Sequence, residues 1–407
     1  MMLRQLKKPS PVVRLLWLYL AFLAGCTTAS DPAEASPWGE VLHLGAAPQG
    51  SAPALWVQPT GDMTSAWVGA SSSGVHQDAR LITRGTASDV ITLPLPPVNP
   101  YAQALLPARD DNLHLMWLDK NPDGELRLYA ALLSPGLGIE RGPMVISSQT
   151  ALRYAAIPSG SGEVFTIWSG GHIAEPSLYA QTIDSRGIPG TAVRLTTNAD
   201  WPALFRANDG VMYLLWLNPE NGTLYEAQLA GDQLTGQQAA VSRLGLQPGD
   251  RLHDLTAALD ATHFYAFWNI TRVDGELESW VVARPLDHSE WGEPYRIGIG
   301  AAKADSIQTG FNSGFVSAVD TGENWLRWAA PMPGQYETLP LAGGIANDLV
   351  IVYLREGEVV GYQRMAPLRA LVGSPLLRTD QDRYLYLAWS EPAENGLAAL
   401  QLLTSRP

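Results

Sequence analysis

The sequence predicts an all-β protein, a β-propeller of four-stranded blades. Three observations predict it. A phrase of strand, Trp, polar turn and second strand recurs: NLHLMWLDKNPDGELRLYAALL from Asn112, EVFTIWSGGHIAEPSLYAQTID from Glu163, VMYLLWLNPENGTLYEAQLAG from Val211, HFYAFWNITRVDGELESWVVAR from His263 and YLYLAWSEPAENGLAALQLL from Tyr384. The residues that close the second strand of each unit (Trp67, Trp117, Trp168, Trp216, Trp268, Val319, Tyr353, Trp389) are separated by 50, 51, 48, 52, 51, 34 and 36 positions, a period of repeat architectures. Between them lie apolar runs of strand length, cut by Asp, Asn and many of the 38 Gly and 30 Pro, and no convincing helix-period segment follows the leader.

Within the unit around Trp168 the expected strands are Tyr154–Pro158, Val164–Trp168, Leu178–Ile183 and Ala192–Leu195. Four short antiparallel strands at this period make one blade, and a blade alone cannot bury both faces, so the chain must stack copies around an axis. The recurrent Trp then wedges between neighbouring blades. The octet WGEVLHLG at Trp38–Gly45 matches WGEPYRIG at Trp291–Gly298, a fourth strand, while the C-terminal run Leu397–Thr404 reads as a third strand. The first segment is therefore expected to complete the last blade and close the ring, which removes exposed strand edges. Eight anchors predict eight blades, or seven if the short unit at Tyr353, with its first strand at residues 342–347, merges with its neighbour.

Residues 1–25 have the form of a signal peptide: Arg4, Lys7 and Lys8 precede the apolar run Leu15–Leu23, too short for a permanent span. The run ends in Leu23-Ala24-Gly25-Cys26, which resembles a bacterial lipobox. That resemblance implies cleavage before Cys26 and attachment of lipid to its thiol. Residues 26–37, small, polar and Pro-containing, read as a flexible tether, and residues 38–407 as the propeller domain. The expected place is the bacterial cell envelope, on the exported side, with the membrane as a partner through Cys26. Cys26 is the only cysteine, so no intrachain disulfide or thiolate metal site exists.

The formal net charge is −13, and the leader carries basic residues without an acid, so the chain beyond it is more acidic still. A basic face for phosphate is lacking, which argues against nucleic acid as a partner. The pattern of apolar run, Trp, polar loop, G-x-L-Y-A and W-G-E resembles the sialidase-like propeller repeats across most of 38–404. Ser317-Ala318-Val319-Asp320-Thr321-Gly322-Glu323-Asn324-Trp325 approximates their Asp-box with one residue too many. The resemblance implies fold; the three arginines of such families find no residue-by-residue placement here, and no Arg stands between Trp38 and Arg80, where the first-blade Arg is expected.

Most acids sit in turns before second strands (Asp110, Asp111, Asp209, Asp260, Asp348, Asp382), where Asp bonds its own backbone. No catalytic, metal or cofactor constellation emerges. The candidate ligand site is the rim of the central channel, where fourth strands cross to the next first strands. There the units place Tyr101, Tyr154, Trp201 and His253, and adjoining loops add His172, Asn269 and Arg272. The expected function is a membrane-anchored, non-enzymatic platform that binds protein or glycan; the alternatives are a sialidase-like glycan hydrolase or lyase, or an envelope assembly component.

Overall fold

The computed structural model describes residues 38–405 apart from short stretches and the longer ones at 301–316, 334–346 and 369–374. The leader, Cys26 and the tether lie outside the described residues. The described chain is β throughout, its one helical element a 3-10 turn at Arg109–Asp111.

Its strands form seven antiparallel sheets among the described residues. Sheet one holds Ala54–Val57, Met63–Ser71 and Gly74–Thr83, with Thr86–Ala87 and Ile91–Leu93 both paired to the last of these. Sheet two holds Tyr101–Pro107, Leu113–Lys120, Leu126–Leu133 and Ile139–Val145; sheet three, Ala151–Pro158, Val164–His172, Glu175–Ile183 and Val193–Thr197. Sheet four runs over Asp200–Arg206, Met212–Asn218, Thr223–Ala230 and Gln233–Val241, and sheet five over Arg251–Leu259, His263–Thr271, Leu277–Pro285 and Tyr295–Gly300. Sheet six holds Ser317–Gly322, Trp325–Pro333, Asn347–Arg355 and Glu358–Leu368. Sheet seven joins Leu376–Thr379, Leu385–Pro392 and Leu397–Thr404 to the N-terminal strand Leu42–Pro48. First strands neighbour one another from sheet to sheet, and Ala54–Val57 lies beside both Tyr101–Pro107 and Leu376–Thr379.

The expected strands around Trp168 are found, each longer at one end by two to four residues, with the fourth starting one residue later, at Val193. The matched octets also behave alike: Tyr295–Gly300 and Leu42–Pro48 are both fourth strands, and Leu42 pairs with Leu402 while Pro48 pairs with Leu397. The expectation of eight units is corrected in the last third. Val319 stands on the first strand of sheet six and Tyr353 on its third, so two counted anchors belong to one sheet. The first strand expected at 342–347 falls, except for Asn347, outside the described residues. Asp348 is likewise inside a strand and not in a turn.

The cross-strand register explains the L-Y-A part of the repeat. Trp117 stands opposite Tyr129, Trp168 opposite Tyr179 and Trp216 opposite Tyr225, each pair stacked with ring centroids 5.7 Å apart. In sheet five Trp280 replaces the Tyr and stacks on Trp268 at 6.3 Å. Such pairs add stabilisation beyond the area they bury. Each Trp of this series is almost wholly buried and joins the core shared with the preceding sheet: Trp117 packs with Ala54 and Ala66 of sheet one, Trp168 with Met116 and Leu118 of sheet two. Trp67 packs in the same way with Leu44 and Ala47 of the N-terminal strand and Leu400 and Leu402 of the last.

Gly45 shows how closely that junction is built. A Cβ there would lie 2.6 Å from Cζ2 of Trp67. Gly45→Ala is expected to displace the indole and destabilise the fold by about 1–3 kcal/mol, read as a lower urea midpoint. An unchanged midpoint would mean that the N-terminal strand does not share the core.

Candidate functional site at the channel rim

First strands begin, and second strands finish, at the same end of the sheets. At that end the first strands carry a recurring bulge. Pairing skips between Tyr101 and Ala104, Ala151 and Arg153, Asp200 and Ala203, and Leu252 and Asp254. Bulges of this kind bend a strand and re-aim side chains, and they gather at functional ends of sheets. Two non-glycine residues inside them adopt left-handed backbone, Ala102 at φ 50° and Trp201 at φ 54°.

The register places the rim residues differently from the spacing of the units. The residue after each Trp faces Tyr101 in sheet two, Arg153 in sheet three, Asp200 in sheet four and Asp254 in sheet five. Tyr154 and Trp201 therefore stand one residue beyond that series, and His253 one before it, since the bulges shift the count. The side chain of His253 lies outside the described residues.

Around Arg153 the rim is tightly built. Its Nη1 donates to Oδ2 of Asp200 at 2.6 Å, and its guanidinium lies 3.8 Å from the centroid of Trp201. Trp201 is 8% exposed, and its backbone N–H donates to Oδ1 of Asp200. Tyr154, equally buried, donates its hydroxyl to the carbonyl of Ala102 at 2.5 Å, across the sheet boundary. Burial and then the Asp119 charge push the Tyr101 phenol well above its ordinary value. That phenol stays protonated at neutral pH.

The loop residues divide. His172 is exposed at the end of its strand, and its Nδ1 accepts from the N–H of Ala174. Asn269 is buried. Arg272 sits in an ion cluster: it binds Asp250 at 2.5 Å and also Glu278, which receives Arg296 at 2.7 Å and the Trp280 indole at 3.0 Å. Burial alone would raise the Glu278 carboxyl, but the donors Arg272, Arg296 and Trp280 outweigh it and hold the group below its ordinary range. The turn acids Asp209 and Asp260 cap backbone N–H groups two or three residues on, as expected.

One constellation was not anticipated. In sheet one the residue facing Trp67 is Asp78, where sheets two to five carry the stacked aromatic. Asp78 accepts from Thr92 Oγ1 at 2.7 Å, and its other oxygen lies 3.1 Å from His76 Nε2. The pair folds over Gly69, where a Cβ would meet Asp78 Oδ2 at 2.2 Å and His76 Nε2 at 2.5 Å. Gln77 between them points to the opposite face of the strand, where it is buried and receives Gln103 Nε2 of sheet two at 3.0 Å, while His76 and Asp78 stand on the Trp67 face. Thr92, Asp78 and His76 thus form a relay in which a held carboxylate orients an imidazole that is one-quarter exposed. The signal was in the sequence as a break: Trp67 is followed by VGASSSGVHQD and not by G-x-L-Y-A. Among the described residues no cluster of His, Cys, Asp and Glu could hold a metal ion.

No family model and no curated protein matches the chain. Solved structures do. A polysaccharide lyase, Uly1, superposes with a TM-score of 0.54 at 10% identity over 93% of this chain and 94% of that one. An ulvan lyase of polysaccharide lyase family PL25, bound to -[GlcA(1-4)Rha3S]-, gives 0.54 at 9% identity over 88% and 95%. A protein of unknown function from Dyadobacter fermentans DSM 18053 gives 0.50 at 10% identity over 89% and 98%. At such identities the likeness is one of fold, and the fold is that of a β-propeller.

Gly69→Ala tests the relay. The added methyl is expected to part His76 from Asp78, visible in a crystal structure of the variant, and to lower stability by about 1–3 kcal/mol. An intact contact in that structure would contradict the packing described.

Proposed function

We propose that the protein is a glycan-active enzyme working at the rim of the channel, with His76 as its acid–base group. The observation that carries this reading is the Thr92–Asp78–His76 relay in sheet one, where Asp78 stands opposite Trp67 in place of the ring that sheets two to five carry. A polar network that interrupts an otherwise consistent repeat marks function more often than packing. The resemblance in fold to polysaccharide lyases supports a lyase over a hydrolase.

Lyase chemistry on a uronate chain fits the groups present. His76 removes the proton α to the carboxylate, and the electron pair forms the new double bond as the glycosidic oxygen leaves. The imidazolium that His76 becomes returns this proton to the departing oxygen, so that the elimination balances. Arg153 is the cation on the same rim for the uronate carboxylate, and the exposed His172 and the loop residue Arg272 stand at the same end of the sheets. The test is incubation of the protein with ulvan and other uronate polysaccharides, following the absorbance of unsaturated uronate. His76→Ala is expected to lower the rate by about 10²–10⁴-fold with an unchanged melting temperature. Equal activity in wild type and variant would remove His76 from the mechanism.

A second reading is a non-enzymatic platform for glycan or protein. Ile173 and Val273, 74% and 72% exposed, sit on loops beside His172 and Arg272 at the same end and favour it. Retention of a polysaccharide on the protein, without any product, would select this reading.

We further propose that the chain is exported and held to a membrane of the cell envelope through lipid on Cys26. Cys26→Ser is expected to move the protein from the membrane to the soluble fraction. A membrane-bound variant would overturn the anchor.

A further inference from the structure

At the other end of the sheets, between sheets four and five, lies a cavity of about 380 Å³ whose walls include Tyr213, Glu226, Gln228, Gln238, Arg284 and His288. Tyr213 stands near the start of a second strand and His288 in the turn after a third, so the cavity is remote from the bulged ends that form the rim. Its floor is a built polar cluster. Glu226 is 2% exposed and Arg284 5% exposed. Arg284 Nη2 donates to Glu226 Oε1 at 2.5 Å, while Gln238 Nε2 and the Trp291 indole donate to Oε2 at 3.0 and 2.8 Å. The guanidinium is fixed over the Phe264 ring at 4.4 Å, and its Nη1 donates to the carbonyl of His288. Its Nε, buried in the cavity wall, has no hydrogen-bond partner among the described residues.

We propose that this cavity binds a neutral sugar residue, as a site separate from the rim. Its volume is at the small end of ligand pockets, the size for a single ring and not an extended chain. The titratable walls carry Glu226 and Asp287 against Arg284, an excess of one negative charge that disfavours uronate, sulfate or phosphate. The other polar groups are amides, an imidazole and the Tyr213 hydroxyl, which Gln228 Nε2 reaches at 3.3 Å. Groups that both donate and accept match vicinal hydroxyls.

The test is saturation-transfer NMR on the full chain with methyl glycosides of glucose, galactose, mannose and rhamnose, beside glucuronate and tetramethylammonium. At least one methyl glycoside is expected to receive saturation. Gln228→Leu combined with His288→Ala, both at exposed positions, is expected to weaken that binding about tenfold or more with an unchanged melting temperature, about 1.4 kcal/mol. His76→Ala is expected to leave it intact, which separates this site from the rim. The proposal falls if no glycoside binds, if only glucuronate or tetramethylammonium binds, if the double variant binds as wild type, or if His76→Ala abolishes binding.

Discussion

The seams of this fold depend on one large aromatic side chain placed between a sheet and the one before it, as in sheets one to five and seven among the described residues. A four-stranded sheet has two faces to bury, and the indole at the end of the second strand fills the seam from one side while a cross-strand ring braces it from the other. The bracing ring needs a fixed register, because a slip of one residue would turn every side chain to the opposite face. The N-terminal strand obeys the same constraint, since Gly45 is the residue against which Trp67 fits.

A constraint repeated in sheet after sheet makes its exceptions informative. Where Asp78 stands in place of the bracing ring, the seam exchanges dispersion for hydrogen bonds and admits His76 to the rim. A buried carboxylate is costly unless it is fully engaged, and Thr92 and His76 engage both oxygens. The Glu226–Arg284 pair offers a second case of costly polarity inside a seam, four sheets away and at the opposite end. Both places carry chemistry that packing alone does not require.

Strand phrases, the Trp period and the fourth-strand character of both W-G-E octets were legible because they follow from local alternation and turn residues. The channel rim was legible only as a region. Tyr101, Tyr154 and Trp201 were counted as equivalent, but each first strand inserts a bulge, and bulges leave no mark in spacing. The merger of Val319 and Tyr353 into one sheet, legible as the seven-unit alternative, was left open because neither position carries the Trp by which the other units were counted. The His76–Asp78 pair was passed over because two residues apart on one strand read as ordinary surface polarity.

The sequence by itself determined the class of fold, the unit of repetition and the strand that the last sheet needs, since each is written in the alternation of apolar residues and in the Gly and Pro that punctuate them. Only the tertiary structure decided which polar residues meet. His76 and Asp78 come together because Gly69 leaves room for them, Gln77 meets Gln103 across a seam, and Arg284 finds Glu226 at a distance of 58 residues along the chain. Contacts between sheets depend on how rings and bulges set the spacing of neighbouring strands, and no local pattern encodes that spacing.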